Sequence, residues 1–315
     1  MFFITFACMR LTKTSISILL PSYNNDCREL VSNLCVQAED IKNQVPLFAY
    51  EIILADDGST DKDVVEANRS IGNIPNCRFI EMNENIGRSR IRNRLAQEAR
   101  YDYLLYMDSD MMPYSGAFLK SYVTCHGNDV IDGGVIVPQY LNRIIKGNLR
   151  HMYERAAQPL HTAEKRSGNP YRDFHTANFL VRREVMLALP FDERFRSYGY
   201  EDVLLGKRLK QAGMEIMHID NPVAFVHFET NDSFLKKSEC AMRTLYQFRD
   251  DLRGYSNMIT ATDVINRVVP LCISRFLFWL SAPLLRANLR SKQPSLKIFG
   301  MYKMGYYLSL CHKNK

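Results

Sequence analysis

The sequence reads Tyr106-Met107-Asp108-Ser109-Asp110-Met111-Met112-Pro113 where an apolar segment meets two carboxylates that are one residue apart. The run over residues 103–107 is short and apolar, which predicts a buried strand, and Pro113 disfavours a regular continuation. Aspartates at a strand end supply hard oxygen ligands, which suit Mg²⁺ or Mn²⁺ better than zinc. These residues alone fit a solvated Asp-Ser-Asp turn equally well, because Asp is a common turn residue. Their role therefore depends on the rest of the chain.

Four other segments place polar residues at the ends of predicted elements. One strand-like run ends in Pro21-Ser22-Tyr23-Asn24, and another ends in Asp56-Asp57-Gly58-Ser59-Thr60-Asp61. A basic helix is expected to open at Asn85-Ile86-Gly87-Arg88, and a further helix at Gly199-Tyr200-Glu201-Asp202. In this order and spacing the five segments resemble the inverting family 2 glycosyltransferases of GT-A type. The resemblance covers residues 15–230.

The chain up to residue 230 alternates strand-like and helix-like segments, which predicts an α/β fold with a mostly parallel sheet flanked by helices. The resemblance implies the GT-A (Rossmann-like) form of that fold. Strands are expected near residues 15–20, 50–55, 77–82, 102–107, 130–136, 176–181 and 223–227. Helices are expected near residues 26–43, 62–71, 87–100, 114–125, 183–188 and 201–212. Residues 138–175 show no sustained period and are expected to form either a loop that shapes acceptor specificity or a variable surface excursion.

Three regions are expected. Residues 1–14 are interpreted as a leader whose apolar stretch is too short, and whose charges come too late, for a secretory signal. Residues 15–230 form the predicted catalytic domain, and residues 231–315 a basic helical appendage. The net charge of +7 comes from this appendage, which holds 14 Lys and Arg against 5 Asp and Glu. Residues 1–230 hold 27 basic and 29 acidic side chains.

The C-terminal region has two interpretations, and helices are expected over residues 234–252 and 263–289. Its apolar run at 268–285 is interrupted by two prolines and an arginine, whereas a membrane-spanning helix needs about 20 apolar residues. An amphipathic segment in a membrane interface fits this pattern. Packing on the catalytic domain, or on a second subunit of a homo-oligomer, fits it equally well. The side chains expected at the interface are Trp279, Arg286, Arg290 and Lys292.

The eight cysteines form no C-x-x-C pair and no cluster, which excludes a typical zinc site or disulfide framework. Reduced thiols in the cytosol are the simplest interpretation. The expected location is therefore the cytoplasm or the inner face of the cell membrane. No nucleic-acid partner is expected.

The resemblance assigns a donor site to the first half of the chain. It places the turn at Pro21, Ser22 and Tyr23 around the nucleotide base, and it gives Asp57 the base and ribose contact. Asp61 is instead favoured as the cap of the helix that begins near Lys62. Two guanidinium groups are expected near the phosphates, because they can bind bidentately, and one amide near the donor sugar. These are Arg88 and Arg92 for the phosphates and Asn178 for the sugar.

A divalent cation, Mn²⁺ or Mg²⁺, is the expected cofactor. By resemblance, Asp110 ligates the metal that bridges the two phosphates, and Asp108 meets the ribose or holds the metal through water. His227 is a further candidate ligand of the metal or the phosphates. A histidine that alternates with apolar residues on a strand is also typical of half-buried structure.

The catalytic acids are expected at the start of the late helix. Inverting transfer needs a base that takes a proton from the acceptor hydroxyl on the face opposite the leaving group. The resemblance assigns Asp202 as this base and Glu201 as the residue that orients the acceptor. Acids in a first helical turn also interact favourably with the helix dipole, which is a sufficient structural explanation.

The expected function is the metal-dependent transfer of a sugar from a nucleotide-sugar, expected to be a UDP-sugar, to a glycan or lipid-linked acceptor in polysaccharide biosynthesis. A nucleotidyltransferase on a related scaffold is one alternative, although the turn after the first strand lacks the glycines that such enzymes use to hold phosphates. A catalytically silent adaptor at the membrane surface is another. Pyrophosphate release would identify the first, and the absence of nucleoside diphosphate release the second.

Overall fold

The computed structural model of the chain describes residues 12–127 and 129–311, so residues 1–11 of the predicted leader lie outside the described part. The strands are β1 (Ser15–Ser22), β2 (Ala49–Asp56), β3 (Cys77–Glu81), β4 (Tyr103–Met107), β5 (Met111–Pro113), β6 (Val130–Asp132), β7 (Val135–Ile136), β8 (Asn178–Arg182), β9 (Ile216–His218) and β10 (Val223–Phe225). The helices are α1 (Arg28–Gln44), α2 (Lys62–Arg69), α3 (Arg88–Glu98), α4 (Phe118–Thr124), α5 (Leu141–Ile144), α6 (Leu149–Ala157), α7 (Ala163–Ser167), α8 (Arg183–Ala188), α9 (Glu201–Gln211), α10 (Asn231–Gln247), α11 (Arg249–Leu252), α12 (Asn257–Val268), α13 (Leu271–Arg290) and α14 (Leu296–Leu310).

The main sheet has seven strands in the order β3-β2-β1-β4-β8-β6-β9. All neighbours are parallel except at β8, which runs antiparallel to both β4 and β6. A small second sheet has the order β5-β10-β7. The predicted α/β class with a mostly parallel sheet is confirmed.

Strand β4 fixes the position of the two aspartates that follow it, because both of its faces are buried. Leu105 and Met107 pack on one side of the sheet with the apolar stripe of α1, and Leu104 and Tyr106 pack on the other side with α3. Alternate side chains of a strand point to opposite faces, so the apolar run is held in place from both sides. The strand ends at Met107, and Asp108 begins the turn that follows.

The loop after β2 positions the start of α2 as predicted. The side chain of Asp61 accepts hydrogen bonds from the amides of Asp63 and Val64 and so caps α2. Gly58 has a φ of 66°, and a Cβ there would lie 2.3 Å from the backbone carbon of Glu84. Only glycine fits this close approach of two loops.

Several predicted boundaries are wrong. The predicted strand at 130–136 is two strands, β6 and β7, because Gly133 and Gly134 separate them. Pro113 does not prevent regular structure, since β5 is an edge strand, where a missing N–H is tolerated. Residues 138–175 are not one irregular loop, because α5, α6 and α7 lie within them. Strand β9 and helix α14 are absent from the predictions.

Helices α10 and α14 pack on the catalytic domain. One apolar cluster joins Leu204 of α9 to Leu245 of α10 and Tyr307 of α14. A second joins Leu149 of α6 to Phe234 of α10 and to α13 and α14. The packing interpretation of the C-terminal region therefore describes α10 and α14.

Helix α13 has two apolar faces. One packs on α14, where Phe278 lies 5.5 Å from the ring of Tyr302. The other is solvent-exposed, and Trp279 and Leu284 are 71% and 77% exposed. Over the described residues, no helix has both the length and the apolar composition to cross a membrane; α12 and α13 meet these criteria only as a pair, with a bend of 112° between them. The exposed apolar residues of this helix are Ile273, Phe276, Leu277, Trp279, Leu280 and Leu284.

Candidate active site

Two adjoining cavities lie beyond the ends of β1, β2 and β4. The first, here called the β1 cavity, has a volume of about 290 Å³. Seven of the residues predicted for the donor site line it together with Asp110, so the structure brings the predicted donor residues and the acidic turn to one place. These seven are Pro21, Ser22, Tyr23, Asp57, Arg88, Arg92 and Asp108.

The second cavity, here called the α9 cavity, has a volume of about 410 Å³ and includes the start of α9. Asp108, Asp110, Glu201 and Asp202 all line it. It meets the β1 cavity at five shared residues, so a molecule that spans the two would cross the acidic turn. The shared residues are Arg88, Arg92, Asp108, Asp110 and Tyr198.

Asp57 is committed to the backbone at the start of α3. Its carboxylate oxygens accept hydrogen bonds from the amides of Ile86 at 2.7 Å and Gly87 at 3.1 Å. Burial raises the pKa of Asp57 and outweighs these two hydrogen bonds, which lower it. Asp57 thus fixes the end of β2 to the start of α3 while still lining the β1 cavity.

Arg92 lies between the two cavities and is bound by carboxylates of the protein. Its side chain is only 2% exposed. One guanidinium nitrogen, Nη2, donates to Asp108 Oδ1 at 2.7 Å, and Nη1 donates to Glu201 Oε1 at 3.3 Å. Since both terminal nitrogens are occupied by carboxylates, Arg92 ties β4 to α9 instead of presenting a free fork to phosphates.

Arg88 is the guanidinium that faces the cavities. Its side chain is 42% exposed, and its Nη1 lies 3.9 Å from Glu201 Oε1. The guanidinium lies 4.8 Å from the ring centre of Tyr198. One turn before Arg92 on the same helix, it keeps donors available for an anionic ligand.

The two aspartates of the acidic turn differ in their surroundings. Burial opposes ionisation of Asp108, but Arg92 and then Arg88 outweigh it, so the pKa of Asp108 lies below its ordinary value. Asp110 is exposed and has no hydrogen bond or ion pair with any described residue. A free carboxylate beside an ionised one is a donor set that fits Mn²⁺ or Mg²⁺, with the remaining ligands supplied by phosphate oxygens and water.

The predicted metal set of Asp108, Asp110 and His227 is not assembled. Within residues 12–127 and 129–311, no three His, Cys, Asp or Glu side chains group closely enough to hold a metal ion. His227 lies beyond the end of β10, is exposed and lines neither cavity. The predicted strand at 223–227 ends at Phe225, so the histidine is not held beside the aspartates.

Asn178 is also placed differently from the prediction. It is fully buried at the start of β8 and lines neither cavity. Its side-chain oxygen accepts from the Tyr122 hydroxyl at 2.7 Å, and its amide nitrogen donates to the carbonyls of Gly134 and Asn221, both at 2.9 Å. These bonds tie the buried amide at the start of β8 to α4 and to the segments that lead into β7 and β10, and Asn178 does not reach the cavity where a donor sugar is expected.

Glu201 and Asp202 open α9 after Tyr200, whose φ of 68° turns the chain sharply. Glu201 is buried, pairs with Arg92 and accepts from the Gly199 amide at 3.2 Å. Burial, and next the charge of Glu201, raise the pKa of Asp202 to about 7. A carboxylate that exchanges its proton near neutral pH is suited to act as a general base.

Three further helices complete the α9 cavity. Helix α6 lies within residues 138–175, which were expected either to shape acceptor specificity or to be a surface excursion, whereas α10 and α14 were not connected with the site. Helix α6 contributes Tyr153 and Glu154, α10 contributes Lys237, and α14 contributes Phe299 and Lys303. Lys237 is close enough to help lower the pKa of Asp108. No local motif marks these residues, because they reach the cavity through helix packing. The sequence predicted only that the C-terminal region is basic and amphipathic.

The comparisons with known proteins agree with this arrangement. The family described as glycosyl transferase family 2 matches residues 17–189, which are more than half of the chain. The chain belongs to glycosyl transferase family 2. This membership is evidence for glycosyl transfer and against the nucleotidyltransferase alternative.

Sequence comparison also finds curated glycosyltransferases and polysaccharide synthases that are similar to this chain over about two thirds of its length. An uncharacterized glycosyltransferase, YfnE of Bacillus subtilis, is 24% identical over 68% of this chain and 64% of its own length. A chondroitin synthase of Escherichia coli is 23% identical over 67% of this chain and 34% of its own length. The chain thus spans less than two thirds of the length of these relatives.

A solved mannosyltransferase has the same fold. The mannosyltransferase PcManGT from Pyrobaculum calidifontis, solved in complex with GDP-Man and Mn²⁺, matches 93% of this chain and 84% of its own, with a TM-score of 0.53 at 12% identity. The expected GT-A fold is confirmed.

Proposed function

We propose that this chain is an inverting glycosyltransferase that moves a sugar from a UDP-sugar to a hydroxyl group of a glycan or lipid-linked acceptor in polysaccharide biosynthesis. The observation that carries the proposal is the shared cavity, since Asp202, with its raised pKa, lines the same space as Asp108 and Asp110. The similarity to a chondroitin synthase supports an acceptor of the glycan class.

The proposed step is a single displacement. Asp202 takes the proton of the acceptor hydroxyl as its oxygen attacks the anomeric carbon from the face opposite the nucleotide. The bond between that carbon and the diphosphate oxygen breaks, and its electron pair leaves with the nucleoside diphosphate. One displacement inverts the anomeric configuration. The buried pair between Arg92 and Glu201 holds the start of α9, and hence the base, against the acidic turn.

The departing diphosphate gains negative charge, which the acidic turn alone would repel. Arg88 and Lys237 line the α9 cavity close to Asp108 and supply positive charge there. Asp110 and Asp108 would hold Mn²⁺ or Mg²⁺ here, and a divalent cation stabilises the charge that develops on the leaving group.

The enzyme acts, in this proposal, in the cytoplasm at the inner face of the cell membrane, with the exposed face of α13 against lipid. Ile273, Phe276, Leu277, Leu280 and Leu284 recur at helical spacing on that face. Trp279 is exposed beside them, and the excess of basic residues in 231–315 suits anionic headgroups. This arrangement would bring a lipid-linked acceptor close to the α9 cavity.

A ligand screen tests the proposal. Nucleoside diphosphates and nucleotide-sugars would be compared by thermal shift with and without Mn²⁺, because a ligand of the folded state raises the melting temperature. UDP and one UDP-sugar are expected to stabilise the protein, more strongly with the metal. Transfer would then be followed by NMR at the anomeric centre of the product. Retained configuration, or stabilisation by no nucleotide, would overturn the proposal.

A further inference from the structure

One cation in the α9 cavity differs from the others. Lys303 projects from α14, and its Nζ lies 4.7 Å from the ring centre of Tyr153 and 4.6 Å from that of Phe299. Within the described chain, its ammonium has no hydrogen bond and no carboxylate within 4 Å. A charged group that packs against aromatic rings in a cavity, and has no protein acceptor for its protons, can donate them to an anionic ligand.

The other Lys and Arg side chains of this cavity each have a carboxylate partner. Arg92 pairs with Asp108 and Glu201. Arg150 pairs with Glu229, and Lys237 lies 3.5 Å from the same residue. Arg88 lies 3.9 Å from Glu201.

Glu154 also faces the cavity but is engaged elsewhere. It lies 3.7 Å from Arg150 and leaves Lys303 unpaired. Burial lowers the pKa of Lys303, and Glu154 only partly offsets this effect. An anionic ligand beside Lys303 would offset the cost of burying its charge.

Lys303 and the proposed base, Asp202, line the same cavity. Burial is the main reason that the pKa of the Tyr200 phenol is raised, and Tyr153, against whose ring the Lys303 ammonium packs, and Asp202 are both close enough to raise it further. The order Lys303, Tyr153, Tyr200, Asp202 therefore leads from the free ammonium to the proposed base. Tyr153 and Phe299 offer flat apolar faces to a sugar ring on this path.

We propose that the acceptor carries an anionic group, a carboxylate or a phosphate, that binds Lys303 while the acceptor hydroxyl reaches Asp202. This inference rests on the proposed function and deepens it by naming the acceptor class. The cation makes a charge-assisted hydrogen bond to the oxyanion, and the aromatic pair packs against the adjoining sugar. Tyr153 of α6 and Phe299 and Lys303 of α14 thus define the acceptor side of the cavity.

Binding of small probes tests the inference without a known acceptor. Glucuronic acid, glucose 6-phosphate and glucose would be titrated in thermal-shift and NMR experiments, with UDP and Mn²⁺ present and absent. At least one of the two anions is expected to bind, and to bind about tenfold more tightly than glucose, as one charge-assisted hydrogen bond would give. The preferred anion indicates whether a carboxylated sugar or a phosphorylated acceptor is the source.

Lys303→Met keeps the aliphatic stem and removes the charge, so it is expected to weaken anion binding about tenfold while leaving glucose and UDP binding unchanged. Lys303→Arg should restore most of the affinity. Lys297→Met is the matched control, because Lys297 is exposed on the same helix and lines neither cavity.

Three results would overturn the inference: equal binding of glucose and both anions, no binding of either anion, or full anion affinity in Lys303→Met. UDP binding is measured in the same samples, and its absence would instead count against the proposed function.

Discussion

At the scale of single residues, the proposed base Asp202 can be tested by one substitution. Asp202→Asn keeps the shape and removes the basic oxygen, so kcat is expected to fall by about 10²- to 10⁴-fold while UDP binding by thermal shift stays unchanged. Asp40→Asn is the control, since Asp40 is exposed on α1 and lies outside both cavities. Full activity of Asp202→Asn would exclude Asp202 as the base.

The pH profile follows from the pKa of Asp202, which burial and Glu201 raise to about 7. The base acts when ionised, so kcat/KM for the donor, which reports the free enzyme, should fall as the pH drops through about 7. Glu201→Gln removes a like charge and should move this limb to lower pH, whereas an unmoved limb would assign it to another group. For folding the sign is opposite: the native state holds this proton more tightly, so its stabilising contribution declines as pH rises from 3.8 to about 7.

Helix α3 connects two elements of the site through Arg92. Arg92→Met leaves Asp108 and Glu201 without their buried counter-charge, so the free energy of unfolding in urea is expected to fall by about 3–5 kcal/mol. Arg94→Met, which removes an exposed pair with Glu98 on the same helix, should cost at most about 1 kcal/mol. Similar losses for both variants would mean that the buried bridge adds little.

The contact between α13 and α14 depends on one glycine. A Cβ at Gly305 would lie 2.3 Å from the ring of Phe278, so Gly305→Ala should lower the free energy of unfolding. Gly300→Ala on the same helix meets no atom within 4 Å and should raise it by about 0.5–1 kcal/mol, because alanine is the better helix former. Stabilisation by both changes would show that Phe278 moves aside freely.

Individual elements show how far the sequence can be interpreted. The buried run of β4, the cap at Asp61 and the acids that open α9 were predicted because their signals are local. Asn178 and His227 were misplaced, since family position does not reveal that Tyr122 occupies the amide or that β10 ends before the histidine. Lys237 and Lys303 were missed because only tertiary packing brings α10 and α14 to the cavity.

At the scale of the whole molecule, the exposed apolar face of α13 can be tested for membrane binding. Trp279 on this helix serves as an intrinsic fluorescent probe. Trp279 is the only tryptophan in the sequence, so vesicles that contain phosphatidylglycerol should shift its fluorescence to shorter wavelength, less so at high salt. Phe276→Ser with Leu280→Ser should weaken vesicle binding, and Leu47→Ser, an exposed leucine elsewhere, should not. A shift that depends on protein concentration and not on lipid would indicate a second copy of the chain.

The walls of the two cavities come from different stretches of the polypeptide. Most of the β1 cavity is encoded before residue 111, whereas Phe299 and Lys303 of the α9 cavity come from the last third. On the ribosome, the residues proposed to bind the nucleotide therefore emerge well before those proposed to bind the acceptor. During synthesis the residues of the proposed donor site are thus exposed to the cell before the helix that completes the proposed acceptor site exists.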